Sequence, residues 1–226
     1  PLFEQKDGNM LFIVLTSNRG LCGNFNSAIL SKLTAILNEN QTDTTKVFAI
    51  GKKGARFAKT HKVEIVSLYE KMSDNPNYED VLPITDSILQ SFLDNEYSEV
   101  HIVYTHFVSP LARNVISKKV LPITMETLDE LSTDDQLIYD DSYRIYEPGE
   151  AMVLDYILPR LIEMIIFQAL LESMASEHFS KMLAMKQSHE AAGDLIDDLT
   201  LEYNKARQAA ITREISEIVA GADAQK

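Results

Sequence analysis

The chain has 226 residues, 45% hydrophobic and 24% charged, with a formal net charge of −13 and a sequence pI near 4.8. That composition is ordinary for a soluble globular protein, and the acidic balance argues against non-specific nucleic-acid binding, which needs a basic surface. The single cysteine, Cys22, excludes an internal disulfide and points to a reduced, intracellular compartment.

No apolar run approaches the roughly 20 residues that span a bilayer. The nearest, Leu161 to Leu171, is too short and contains Glu163. No signal peptide is visible, and the chain opens at Pro1 rather than at a methionine, which leaves room for an upstream segment.

In chain order, Leu11 to Thr16 is an apolar, β-rich run of the kind buried on both faces of a sheet. It ends in the glycine-containing turn Asn18-Arg-Gly-Leu-Cys-Gly-Asn24. A helix-period segment follows, with Ile29, Leu30, Leu33 and Ile36/Leu37 on one face. Val47–Ile50 reads as a second strand, and Gly51-Lys-Lys-Gly54 as a turn with a cationic corner leading into a short helix around Ala55–Lys59. Val63 to Tyr69 is a third strand. Asn77 is the expected N-cap of a helix running to about Leu93, with Glu79 and Asp80 in its first turn. Glu99 to Val108 and Val115 to Ile123 complete five strands. Strands separated by helices predict an α/β fold with a Rossmann-like, mostly parallel sheet. The acidic stretch Glu126 to Tyr146 reads as a loop or lid with one short strand near Tyr143–Ile145, and Pro148-Gly149 punctuates the chain.

Beyond Gly149 only Pro159 and Gly193 interrupt about seventy residues of helical pattern. From Met182 a three-four spacing sets in: Met182, Met185, His189, Ala192, Ile196, Leu199, Tyr203, Ala206 and Ala210. Such a heptad seam, with Glu190, Asp194, Asp197, Glu202 and Lys205 outside it, argues for a coiled coil. Two regions are expected, a globular α/β foot over 1–148 and a long helix over 149–226. A helix from Leu161 to Ala220 extends ~90 Å, against roughly 40 Å for the diameter of a ~150-residue domain. Its seam therefore needs a partner helix, since each large apolar side chain left wet forgoes about 1.5–3 kcal/mol.

Catalytic patterns are scarce. Gly20-Leu-Cys-Gly23 follows a strand and precedes a helix, but lacks both the dinucleotide-binding spacing and the P-loop lysine, so a tight turn is the favoured reading. His61, His101, His106, His178 and His189 show no metal-ligand spacing, and His189 falls in the seam. Cys22 has no adjacent histidine and no resolving cysteine. Asp134-Asp135 and Asp140-Asp141 read as solvated acidic pairs. No catalytic, cofactor or metal residue is expected, which favours a mechanical or interaction role.

Two groups of residues then carry a family resemblance. Thr16-Ser-Asn-Arg-Gly-Leu-Cys-Gly-Asn-Phe-Asn26 resembles the signature loop of ATP synthase gamma subunits. The C-terminal runs match as well: Ala175-Ser-Glu-His178, Met182-Leu-Ala-Met-Lys186, Leu199 to Gln208, Ala210-Ile-Thr212 and Glu217-Ile-Val-Ala-Gly221. Gly51-Lys-Lys-Gly54, Leu121-Pro122 and Leu158-Pro-Arg160 agree, so the likeness covers essentially the whole chain. Three features depart from the family pattern: its long N-terminal helix is not contained in this chain, Asn18 stands where aspartate is common, and Lys181 stands where arginine is common. Lysine keeps the charge but not the bidentate geometry. The cysteine-paired regulatory insertion of the chloroplast type is not seen.

The resemblance implies a rotor subunit of a proton-translocating F-type ATP synthase, without an active site of its own. Its long helix would form half of an antiparallel coiled coil inside a ring of alpha and beta subunits. The globular foot would meet the epsilon subunit and the membrane c-ring. Contacts to the ring are expected from Arg207, Gln208 and Thr212, and from Glu177 and Lys181 toward a beta-subunit loop. Ile211, Ile215, Ile218 and Val219 are expected to form an apolar tip. Membrane association would be peripheral, through the complex, on the cytoplasmic face of a bacterial plasma membrane in preference to the matrix side of the mitochondrial inner membrane. The alternative is a nucleotide-binding α/β domain with a coiled-coil dimerisation arm. Without a partner helix, the seam predicts self-association or fraying beyond Met182.

Overall fold

The computed structural model describes residues 2–4, 8–40, 44–70, 76–109, 113–124, 127 and 149–223. The acidic loop expected over Glu126 to Tyr146, with its short strand, lies outside them apart from Thr127. Five strands form one sheet: β1 (Asn9–Leu15), β2 (Thr45–Ile50), β3 (Glu64–Tyr69), β4 (Tyr97–Phe107) and β5 (Arg113–Leu121). The helices are α1 (Phe25–Glu39), α2 (Lys52–Thr60), α3 (Tyr78–Leu93) and α4 (Glu150–Asp223). The sheet order is β3-β2-β1-β4-β5. β1 pairs in parallel with β2 and β4, β2 in parallel with β3, and β5 runs antiparallel to β4 as the far edge.

β1 is central because both of its faces are apolar. Leu11, Ile13 and Leu15 enter one core with Ile84 and Ile88 of α3 and with Ile162 and Ile166 of α4. Phe12 and Val14 enter a second core with Ile29 and Leu33 of α1 and Ala58 of α2. This period-2 split makes a three-layer arrangement, with helices covering both faces of a mostly parallel sheet. On α4 the core-facing residues Leu158, Ile162, Ile165, Ile166, Ala169 and Leu170 fall at helical spacing and are all buried. Each large one contributes about 1.5–3 kcal/mol of transfer free energy.

Asn77 is the N-cap expected from the sequence, and it forms a capping box with Asp80. α2 begins three residues earlier than the sequence suggests. Gly51, at φ 97°, makes the turn alone, and both lysines enter the helix. Contacts divide the chain into two compact units, Pro1–Lys181 and Met182–Lys226.

Candidate functional site

The signature loop is tied to itself and to the ends of β2 and β3. The Asn26 side chain accepts from the Ser17 amide at 3.0 Å and donates to Ser17 Oγ at 2.7 Å and to Cys22 Sγ at 3.1 Å. Asn18 bridges two neighbours, accepting from the Lys52 amide at 3.2 Å and donating to the Glu70 carbonyl at 3.0 Å. Thr16 Oγ1 donates to the Ile50 carbonyl and accepts from the Gly54 amide at 2.8 Å. The side chains of Thr16, Asn18 and Asn26 are thus committed to holding the turn. What the loop presents outward is Arg19 and Leu21, the latter 76% exposed at φ 65°.

This loop and two of the expected contact residues line one cavity. At the carboxyl ends of β1 and β2, a recess of about 460 Å³ is bounded by Thr16, Asn18, Arg19, Lys52, Glu177 and Lys181, among others. Strand order reverses beside β1, the place where open α/β sheets usually present a binding crevice. Its cations are mostly paired: Lys181 Nζ lies 3.3 Å from Glu177 Oε1, and Lys52 Nζ 3.2 Å from Glu70 Oε2. The walls therefore offer side-by-side opposite charges, suited to a polar protein surface. Among the described residues no group of three or more His, Cys, Asp or Glu could hold a metal ion.

Sequence reasoning missed the polar contacts that fix the first half of α4. Glu163, read from sequence only as a charge interrupting an apolar run, is buried. It accepts from the Tyr78 hydroxyl at the start of α3 and from Arg160 Nη1 at 2.9 Å, and Tyr78 and Glu163 together hold the Arg160 guanidinium above its usual range. An acid amid apolar residues with an arginine three positions earlier was the available signal. Further along, His106 Nδ1 lies 2.5 Å from Glu172 Oε2, and Ser176 Oγ donates to the Thr105 carbonyl at 3.3 Å. Arg113 donates to Ser180 Oγ and sits 5.3 Å above the Phe179 ring. Ser173, Ser176 and Ser180 of α4 are all buried.

In the Met182–Lys226 unit the remaining expected contacts, Arg207, Gln208, Thr212, Ile215 and Ile218, are all exposed. So is the seam: Met182 is 59% exposed, Leu199 55% and Tyr203 65%. At about 100° per residue, the expected contacts centre roughly a third of a turn from the seam. One helix thus carries two distinct stripes, an apolar one and a mixed one. No helix among the described residues is long and apolar enough to cross a membrane.

A family model described as ATP synthase matches residues 1–225. The ATP synthase gamma chain of Halothermothrix orenii is 38% identical over 227 residues, covering 100% of this chain and 77% of that relative. The gamma chain of Exiguobacterium sibiricum is 39% identical over 228 residues with the same coverage. Among solved structures, a chain of the Euglena gracilis mitochondrial ATP synthase (OSCP/F1/c-ring, rotational state 3) aligns at TM-score 0.68 and 20% identity. That match covers 96% of this chain and 73% of the other. A central-stalk chain of the Tetrahymena thermophila enzyme aligns at TM-score 0.60 and 23% identity, covering 83% and 81%. The structural matches bear on the fold, and they share this sheet followed by a long helix. With the signature loop, the tail motifs and relatives near 38% identity over the whole chain, this protein belongs to the ATP synthase family as a gamma chain.

Proposed function

We propose that this chain is the central rotor of an F-type ATP synthase and couples rotation of a membrane c-ring to conformational change in the catalytic beta subunits. The observation that carries this reading is the pair of stripes on an exposed helix, in a chain of gamma-chain ancestry. A seam of Met182, Ile196, Leu199 and Tyr203 calls for a second helix, here an antiparallel one. Arg207, Gln208, Thr212, Ile215 and Ile218 are left free to meet a surrounding ring. The foot is assigned to 1–148 and the shaft to 149–226.

A shaft that presents different residues around its circumference acts as a ligand with unequal affinity for the open and closed forms of each beta subunit. Turning it then shifts which subunit occupies which form. Chemistry takes place in the beta subunits, and the gamma chain supplies the differential contact. The cavity edged by Arg19, Glu177 and Lys181 is assigned to a beta-subunit loop, and the foot to the epsilon subunit and the c-ring. The assembly is membrane-associated and peripheral, and the bacterial relatives support the cytoplasmic face of the plasma membrane.

Co-expression with alpha, beta and epsilon subunits tests the proposal. The expected result is a complex purified in fixed proportion whose ATPase activity depends on this chain. In that complex, combined alanine substitution of Arg207, Gln208 and Thr212 should lower the rate while leaving the subunit proportion unchanged. A rate indifferent to the triple substitution would remove those residues from the contact. Failure to co-purify would refute the rotor assignment.

A further inference from the structure

A second, smaller cavity lies between the first turn of α1 and the hairpin end of the β4–β5 ladder, beside the Arg113–Ser180 contact. It holds about 200 Å³, and its walls include Asn24, Phe25, Thr105, Arg113 and Ser180. α1 is 15 residues long, and its N-cap, Asn24, makes no side-chain capping hydrogen bond. The first amides of a helix have no partner within it and carry the positive end of its dipole, so they favour an anion.

Thr105 gives independent reason to place a ligand there. It is 5% exposed, and its Oγ1 is buried with no hydrogen-bond partner among the described residues. Strand alternation gives the direction. Val103 of β4 enters the core beneath α1, and Thr105, two residues on, points to the same face, toward the cavity and the helix end. A buried hydroxyl left unpaired is costly and rare in native proteins. Arg113 adds a permanent positive charge. It uses Nη1 on Ser180 Oγ, while a guanidinium has five N–H donors. Among the described residues no carboxylate lines the recess, although the chain as a whole carries −13.

We infer that this recess binds a small oxyanion of phosphate size. The Arg113 guanidinium supplies charge, Thr105 Oγ1 a hydrogen bond and the first turn of α1 its dipole. The volume is below the roughly 300 Å³ at which small-molecule pockets begin, so a free oxyanion fits and a nucleotide does not.

Isothermal titration of the full chain with inorganic phosphate, in a chloride buffer, tests this, with ADP as a parallel arm. Saturable phosphate binding is expected. Thr105→Val and Arg113→Gln should each weaken it by about tenfold or more, the loss that follows when a charge-assisted contact is removed. Thr105→Ser, which keeps the hydroxyl, should retain it. Should Thr105→Val lose its circular dichroism signal, Arg113→Gln and Thr105→Ser decide the matter. Absence of saturable phosphate binding, binding unchanged in Arg113→Gln, loss in Thr105→Ser, or tighter binding of ADP than of phosphate would each overturn the inference.

Discussion

Replacing Gly51 with alanine should be among the most damaging single-methyl changes in this protein. Gly51 closes the β2–α2 turn at φ 97°, where a Cβ would stand 1.9 Å from the Thr16 carbonyl oxygen and 2.9 Å from Thr16 Oγ1. The left-handed backbone alone costs a residue with a Cβ about 1–2 kcal/mol. The clash also forces Thr16 away from β2. The Thr16 amide then loses the Ile50 carbonyl (2.8 Å) and Thr16 Oγ1 loses the Gly54 amide (2.8 Å), bonds worth about 0.5–1.5 kcal/mol each. The total comes to about 2–5 kcal/mol, a large share of the ~5–15 kcal/mol that usually stabilises a domain.

Gly54 provides the control. A Cβ there meets Thr16 Oγ1 at 3.1 Å, a contact that a small shift relieves. Alanine inside α2 also gains about 1 kcal/mol of helix propensity. Gly54→Ala should therefore stay within about 1 kcal/mol of the parent by that offset. Urea unfolding followed by circular dichroism measures both. Equal unfolding midpoints for the two variants would refute the steric reasoning.

Three further outcomes follow from groups on the sheet and α4. Burial of Glu99 is outweighed by hydrogen bonds and charge from Lys119 and His101, so its pKa lies below the ordinary 4.5. Its contribution is therefore present above that value and lost as pH falls through the lowered one. Glu99→Gln should be less stable than the parent at neutral pH, and the difference should shrink in acid unfolding below about pH 4. Tyr97 is raised above 10.0 by burial and by Glu96 and Glu64. The fold thus favours the neutral phenol, and its support fades as pH climbs past 10 toward the raised value. Tyr97→Phe should blunt alkaline unfolding, seen as a smaller shift of Tm between pH 9 and pH 11. Glu163→Ala should cost about 1.5–3 kcal/mol in urea unfolding, as expected for hydrogen bonds to a charged group. Tyr78→Phe should cost about 1 kcal/mol, and the double variant less than the two combined, because the residues share one bond.

Much of the architecture was legible because it rests on local chemistry. Leu11–Thr16 and Val47–Ile50 are apolar on both faces, as central parallel strands must be, and Asn77 with Asp80 announces the start of α3. α2 was foreshortened because Gly51-Lys-Lys-Gly54 looked like a turn, whereas only the first glycine turns. The antiparallel sense of β5 had no sequence mark, since its side chains are mostly half-buried and its direction depends on pairing with β4. Glu177 and Lys181 could be paired from their spacing, but their approach to Arg19 across a cavity depends on how α4 crosses the sheet. The contacts of Glu163, His106 and Arg113 joined residues more than sixty positions apart, beyond the reach of any periodicity.

The sheet order also sets a schedule for folding. β1, β2 and β3 with α1 and α2 can assemble from nearby sequence, yet β1 keeps one bare edge until β4 arrives much later in the chain. During synthesis that edge, bounded by Phe12, Ile13 and Val14, is an open template for strands of other chains. The early half of this protein should therefore depend on chaperones until Val100 to Val103 emerge. Truncations that end before β4 should aggregate rather than fold.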